Sequence, residues 1–221
     1  MCGLAGIVRR VITDEDEDAL RVALDALKTR GPDDFEIVRG ESFVFGHTRL
    51  AIQNLAGNNQ PASSNCGRWI ILFNGEIYNY ARLLESDVDA SEQTIYATET
   101  QAILTVLEKC GLEGLVDSLQ GMYALVIWDA RLHQLHLLRD LHGEKPLYYT
   151  DQGDYFAFAS SLDPLSKLSS RIASVDSQVA LEFMRLGYVP DTESILRHVK
   201  KVDPEQVLTF QLSRRQGVSS C

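Results

Sequence analysis

A cysteine stands at position 2 in MCGLAGIVRR, directly behind the initiator methionine and before a glycine. Met1 is usually trimmed when the next side chain is small, which would leave Cys2 carrying both a thiol and a free α-amine. The thiolate would be the nucleophile, and the amine, with an ordinary pKa of about 7.7–8.0, would take the thiol proton directly or through a water. One residue would then supply nucleophile and base without a partner histidine. A cysteine behind methionine is more often just a small buried hydrophobe, so the rest of the chain has to decide.

The elements that would position Cys2 can be read from periodicity. CGLAGIV is a short apolar run that suits a buried strand. Leu20, Ala23, Leu24 and Leu27 fall at helical spacing, and Gly31 and Pro32 stop that pattern. The DEDED run at Asp14 to Asp18 sits where carboxylates complement the positive end of the helix dipole. SFVFGHTRLAI and RWIILFNGEIY read as strands, and the continuous run Trp69 to Phe73 predicts burial on both faces. Thr98 and Gln101 form a T-x-x-Q capping box that opens a helix with Ile103, Val106, Leu107 and Cys110 on one face, and GLEGLVDSLQ forms a second short helix. MYALVIWDA, QLHLLRD, PLYYT and YFAFAS read as a meander of antiparallel strands. SQVALEFMRLG reads as a final helix that turns Val179, Phe183 and Leu186 inward. Helices and strands come in blocks, so the fold class is α+β with antiparallel sheets.

Composition narrows the function. The chain has 221 residues, 45% of them hydrophobic and 24% charged, which suits one soluble domain with a substantial core. A net charge of −10 without a dense run of Lys or Arg argues against nucleic acid. No segment approaches the ~20 apolar residues of a membrane span, and the apolar start is too short for a signal peptide, so a cytoplasmic location is the expectation. Cys2, Cys66, Cys110 and Cys221 are widely spaced with no C-x-x-C pair, which predicts reduced thiols and neither a zinc knuckle nor a disulfide framework. His133 and His136 have H-x-x-H spacing on an expected strand, where the two rings would point to opposite faces and hold no metal.

Six motifs follow Cys2 in order: RGPDD at Arg30 to Asp34, GHTRLAI at Gly46 to Ile52, NQP at Asn59 to Pro61, FNGEIYNY at Phe73 to Tyr80, QGMYA at Gln120 to Ala124, and RDLHGEKPLYY at Arg139 to Tyr149. With Cys2 at their head, they resemble class II glutamine amidotransferases. RGPD and FNGEIYN favour the glutaminase domain of glutamine-hydrolysing asparagine synthetases. The resemblance covers roughly residues 2 to 210, leaving 211–221 as a tail or the start of a further region. It implies the N-terminal nucleophile hydrolase fold, a four-layer αββα sandwich of two antiparallel sheets flanked by helices.

The resemblance also implies roles. Cys2 would attack the side-chain amide of L-glutamine, form a γ-glutamyl thioester and release ammonia. The Asn74 side-chain amide and the Gly75 N–H would hold the oxyanion, because a tetrahedral intermediate needs preorganised donors. Glycine at 75 would let the backbone approach a ligand closely; alone, N-G is also a common hairpin turn. Arg49, beside Leu50, would clamp the substrate carboxylate, and Glu76 would anchor the ammonium. Glu99 stands where the family usually has an aspartate. It either reaches the ammonium through a different rotamer or only decorates a helix N-terminus. His47 is expected to be packed or hydrogen-bonded rather than a base, and Arg139, Asp140 and Gly143 to set a tight turn that shapes the core around the site.

Ser161 and Glu205 also depart from the usual family wording, and no S-G-G-x-D-S loop for ATP occurs. The glutaminase itself would need no metal or organic cofactor. ATP and magnesium would belong to a synthetase domain in cis or trans, supplying ammonia for amidation of aspartate to asparagine. A homodimer is compatible with this reading. Two alternatives stay open at the level of sequence: a non-catalytic glutamine-binding or regulatory module, and a glutaminase serving another carboxylate acceptor.

Overall fold

Alternation along each strand decides which face it buries. In the computed structural model, which describes residues 1–50, 59–85, 98–169, 174–190 and 192–212, that alternation builds two sheets and three apolar layers. The first sheet contains β1 (Gly3–Arg9), β2 (Asp34–Arg39), β3 (Phe43–Arg49), β8 (Tyr148–Asp151), β9 (Tyr155–Ala159) and β10 (Lys200–Lys201), in the order β10-β8-β9-β1-β3-β2. The second contains β4 (Ala62–Ser63), β5 (Trp69–Ile77), β6 (Gly121–Asp129), β7 (Gln134–Arg139) and β11 (Val207–Gln211), in the order β11-β7-β6-β5-β4. Every strand pair is antiparallel.

β1 lies between β3 and β9 and is buried along nearly its whole length. Its Leu4 and Val8 join Phe45 and Phe158 in the layer between the sheets, where they meet Leu72, Val126, Trp128 and Leu137 from the second sheet. Ala5 and Ile7 point the other way, beneath Leu20, Ala23, Leu24 and Leu27 of α1 (Asp14–Leu27) and Leu165 and Leu168 of α4 (Leu162–Leu168). On the far side, Trp69, Ile71 and Phe73 of β5 and Leu125 and Ile127 of β6 meet Ile103, Val106 and Leu107 of α3 (Glu99–Ser118), with α2 (Tyr80–Glu85) alongside. The result is the expected αββα sandwich, and β5 is buried on both faces as its apolar run predicts.

The helix ends follow their sequence signals. Thr98 and Gln101 close the capping box of α3, and Gly111, at φ 70°, breaks that helix into the two segments read from the sequence. The acidic run opening α1 does more than face the dipole. Asp16 also closes a capping box with Thr13 and bonds Arg9 at 3.2 Å.

Three expectations change. The four C-terminal strand runs are not one meander: β6 and β7 pair in the second sheet, the chain crosses, and β8 and β9 pair in the first. His133 is not in a strand. It lies in the turn before β7 at φ 54°, edge-on to the Trp128 ring, while His136 in β7 bonds Thr209 Oγ1 at 2.9 Å. Finally, α5 (Ser177–Leu186), capped by Asp176 and Gly187, buries Val179 but not Phe183 or Leu186, which are about half exposed at 47% and 51%. The end of GHTRLAI beyond Leu50 and the tail beyond Leu212, with Cys221, lie outside the described residues. No helix among the described residues is long and apolar enough to cross a membrane.

Candidate active site

The site lies at one end of the layer between the sheets. Gly3 pairs with Thr48 and Leu4 with His47, so Cys2, one step earlier, falls opposite Arg49. Strand alternation puts Cys2 on the same side as Leu4, which faces the inner layer, and puts Arg49 on the same side as His47. In β5, Leu72 faces that layer, so Asn74 and Glu76 do as well. Cys2, Arg49, Leu50, Asn74, Gly75, Glu76 and Glu99 all line one cavity of about 440 Å³, a size typical of small-molecule sites, roughly 300–1,000 Å³. Met1 also lines it.

The oxyanion pair expected from FNGEIYN has a particular setting. Asn74 is 3% exposed, and its Nδ2 donor has no hydrogen-bond partner among the described residues. A buried donor left unmatched costs about 1–3 kcal/mol, which the fold tolerates here on the cavity wall. Gly75 is opposite Tyr123 in β6, yet the Tyr123 N–H and C=O bond Asp140, not Gly75. Gly75 therefore belongs to a non-hydrogen-bonded pair, in which the strands approach most closely. This gives the glycine a different reason from the one read in the sequence: a Cβ at this position would strike the Met122 carbonyl. The constraint comes from β6, and the N–H faces away from β6 toward the open edge of β5.

The charged residues surround this edge. Glu99, at the start of α3, accepts a hydrogen bond from the Ile77 N–H at 2.6 Å through Oε1. Burial pushes its pKa up, the Ile77 N–H opposes that shift, and neighbouring Glu76 adds to it. Two carboxylates and Arg49 in the lining of one cavity suit a zwitterion with a cationic and an anionic end. His47 is 3% exposed, and burial pulls its pKa down to about 4. It stays neutral near pH 7, hydrogen-bonds the Phe73 backbone and leaves Nε2 without a partner among the described residues, so it is packed rather than poised as a base.

Two further residues reach the site although nothing in the sequence assigns them a role. Arg30, from RGPDD, donates from Nε to the Cys2 carbonyl at 3.4 Å; burial lowers its pKa. Gln60, from NQP, is 6% exposed and accepts from the Phe73 N–H at 2.5 Å. The only sequence signal for either is its place beside a turn-forming Gly or Pro.

RDLHGEK forms the expected tight turn. The Asp140 carboxylate accepts from the backbone N–H groups of Tyr123, His142, Glu144 and Lys145, and these four donors outweigh burial to hold its pKa below the usual carboxylate range. Arg139 donates to the carbonyls of Lys145 and Val202 at 2.8 Å and to that of Gly143, which sits at φ 62°. The turn thus fixes Tyr123, the strand residue opposite Gly75. Among the described residues, no group of His, Cys, Asp and Glu could hold a metal ion, and Cys2, Cys66 and Cys110 are free thiols.

Known proteins resemble this chain in sequence and in fold. A family model described as a glutamine amidotransferase domain matches residues 1–219. Asparagine synthetase [glutamine-hydrolyzing] 1 of Bacillus subtilis is 32% identical over 214 residues, covering 96% of this chain and 34% of its own length. The chain spans between a third and a half of the length of such curated relatives. Two solved structures share the fold. One is described as the allosteric regulatory enzyme of purine biosynthesis, at a TM-score of 0.64 and 20% identity over 96% of this chain and 49% of its own. The other is the glutamine phosphoribosylpyrophosphate amidotransferase of B. subtilis, at 0.58 and 19% over 76% and 43%.

Proposed function

The chain belongs to the glutamine amidotransferase family, as a domain of the asparagine synthetase type, and from that premise we propose that it hydrolyses L-glutamine to L-glutamate and ammonia through a thioester on Cys2. With Met1 removed, the Cys2 α-amine takes the thiol proton and Sγ attacks the γ-carboxamide carbon. The Asn74 Nδ2 and Gly75 N–H donors hold the oxyanion of the tetrahedral intermediate. Its collapse breaks the C–N bond, the transferred proton leaves with the nitrogen as ammonia, and water then splits the thioester to free glutamate. Arg49, next to Leu50, takes the α-carboxylate, and Glu76 and Glu99 take the α-ammonium.

The observation that carries this reading is the buried Asn74 Nδ2, without a partner among the described residues, on the same layer as Cys2 and beside an outward-facing Gly75 N–H. The test is glutamate release by protein whose N-terminus is shown by mass spectrometry to be Cys2. Cys2→Ala should reduce turnover at least about 10⁴-fold while glutamine still protects the fold against heat. Full activity in that variant, or in protein that retains Met1, would refute the thioester.

We further propose that the ammonia serves ATP- and magnesium-dependent amidation of aspartate on a synthetase region supplied in cis or in trans. The names and greater length of the relatives support this, and a cytoplasmic setting agrees with trimming of Met1. Supplying aspartate, ATP and magnesium to the assembled synthetase should yield asparagine; a different amidated carboxylate would redirect the acceptor but not the glutaminase.

A further inference from the structure

We propose that Gln60 is a positioning residue that caps the open edge of β5, so that between Phe73 and Ile77 the Gly75 N–H is the edge donor that the described residues leave to face the cavity. The inference rests on the glutaminase reading for its catalytic consequence, though its structural half does not.

The pairing of β4 with β5 stops at Ala62 and Ile71, so from Leu72 onward the outer edge of β5 has no partner strand among the described residues. In an antiparallel strand, alternate residues direct their N–H and C=O to the same neighbour. The Tyr78 N–H bonds the Gln120 carbonyl on the β6 side, and Tyr123, opposite Gly75, bonds away from β5. Phe73, Gly75 and Ile77 therefore all present their N–H groups to the open edge. Unpaired buried N–H groups are rare because each costs about as much as a lost hydrogen bond.

The two flanking groups are satisfied by side chains. Gln60 Oε1 accepts from Phe73 N at 2.5 Å, and Glu99 Oε1 accepts from Ile77 N at 2.6 Å. The Phe73 backbone is held a second time by His47. Among the described residues, what remains between the two caps is the Gly75 N–H. Gln60 thus stands in for the missing strand and fixes the direction of a donor that it never touches. A 1 Å displacement of a reacting or stabilising group can cost about 100-fold in rate, so this restraint belongs to turnover and not to substrate affinity.

Gln60→Met keeps the length and burial of the side chain and removes the acceptor, whereas Gln60→Glu keeps an acceptor oxygen. The expected result is a fall in kcat of about 100-fold for Gln60→Met with KM for glutamine within about threefold of wild type, and recovery of most of that loss in Gln60→Glu. The amide of Phe73 should exchange with solvent at least about tenfold faster in Gln60→Met, while amides at the centre of β1 keep their protection. Wild-type kcat in Gln60→Met, a loss confined to KM, or unchanged exchange at Phe73 would overturn the proposal. So would Gln60→Glu being as impaired as Gln60→Met. An inert wild type with a free Cys2 amine would defeat the glutaminase reading instead, and Phe73 exchange would still judge the cap.

Discussion

Glu99 shows how one side chain can make a contact that its motif does not announce. The sequence leaves it between a substrate anchor and helix decoration, but its carboxylate also caps the Ile77 N–H at the edge of the site. With its pKa raised by burial and by Glu76, Glu99 takes a proton on acidification at a higher pH than an ordinary glutamate, whose pKa is about 4.3. If it holds the substrate ammonium, KM for glutamine should climb as the pH falls into that window. Glu99→Gln should raise KM about tenfold at pH 7, the loss of one charge-assisted contact, and flatten its pH profile. The effect on stability has the opposite sign. A raised carboxyl pKa means that the ionised form costs stability at neutral pH, a cost that fades on acidification. Since glutamine can still accept from Ile77, Glu99→Gln should melt no lower than wild type at pH 7. A lower melting temperature with unchanged KM would make the residue purely structural. That Arg49, Asn74, Gly75 and Glu76 lie in or beside strands was readable from the apolar runs SFVFGHTRLAI and RWIILFNGEIY that carry them, whereas the roles expected of them come from the resemblance alone. The parts of Gln60 and Arg30 were not readable, because their contacts join segments distant in sequence and leave no local pattern.

Among the elements, the turn after β7 does more than reverse the chain. The four N–H groups gathered by Asp140 bind the crossover between sheets to the strand under Gly75. Asp140→Asn removes the charge and replaces one acceptor oxygen by a donor, and should cost about 2–4 kcal/mol in urea unfolding at pH 7. Because the folded-state pKa of Asp140 is depressed, its contribution is present above the unfolded value, about 3.9, and is lost as the pH falls through the folded one. The gap between wild type and Asp140→Asn should therefore close toward pH 2, and a gap independent of pH would contradict this account. Strand existence was readable for β1, β3 and β5 through β9, where apolar runs are dense. Sheet membership was not, because an apolar run records burial and not which sheet supplies the neighbour. β2 escaped notice because DFEIVR is half charged and lies at a sheet edge, and β10 is only two residues long.

At the scale of the whole molecule, α5 marks where periodicity stops informing. Val179, Phe183 and Leu186 recur on one side and Leu181 and Met184 on the other, a helix apolar on both faces, yet only Val179 is buried. Spacing identifies an apolar stripe but not what covers it. Leu181→Lys combined with Met184→Glu should consequently shift stability by no more than about 0.5 kcal/mol, whereas a loss of several kcal/mol would show that the helix packs more deeply. The open edge of β5 has a separate consequence for how copies of the chain treat one another. A strand edge with a row of unpaired N–H and C=O groups is a template for another chain, and natural proteins blunt such edges. Here the blunting and the site share the same atoms. With the Phe73 and Ile77 donors already occupied by Gln60 and Glu99, an incoming strand would find among the described residues a single N–H where a ladder needs a series, so the caps that leave Gly75 open to a small molecule also disfavour the addition of a strand.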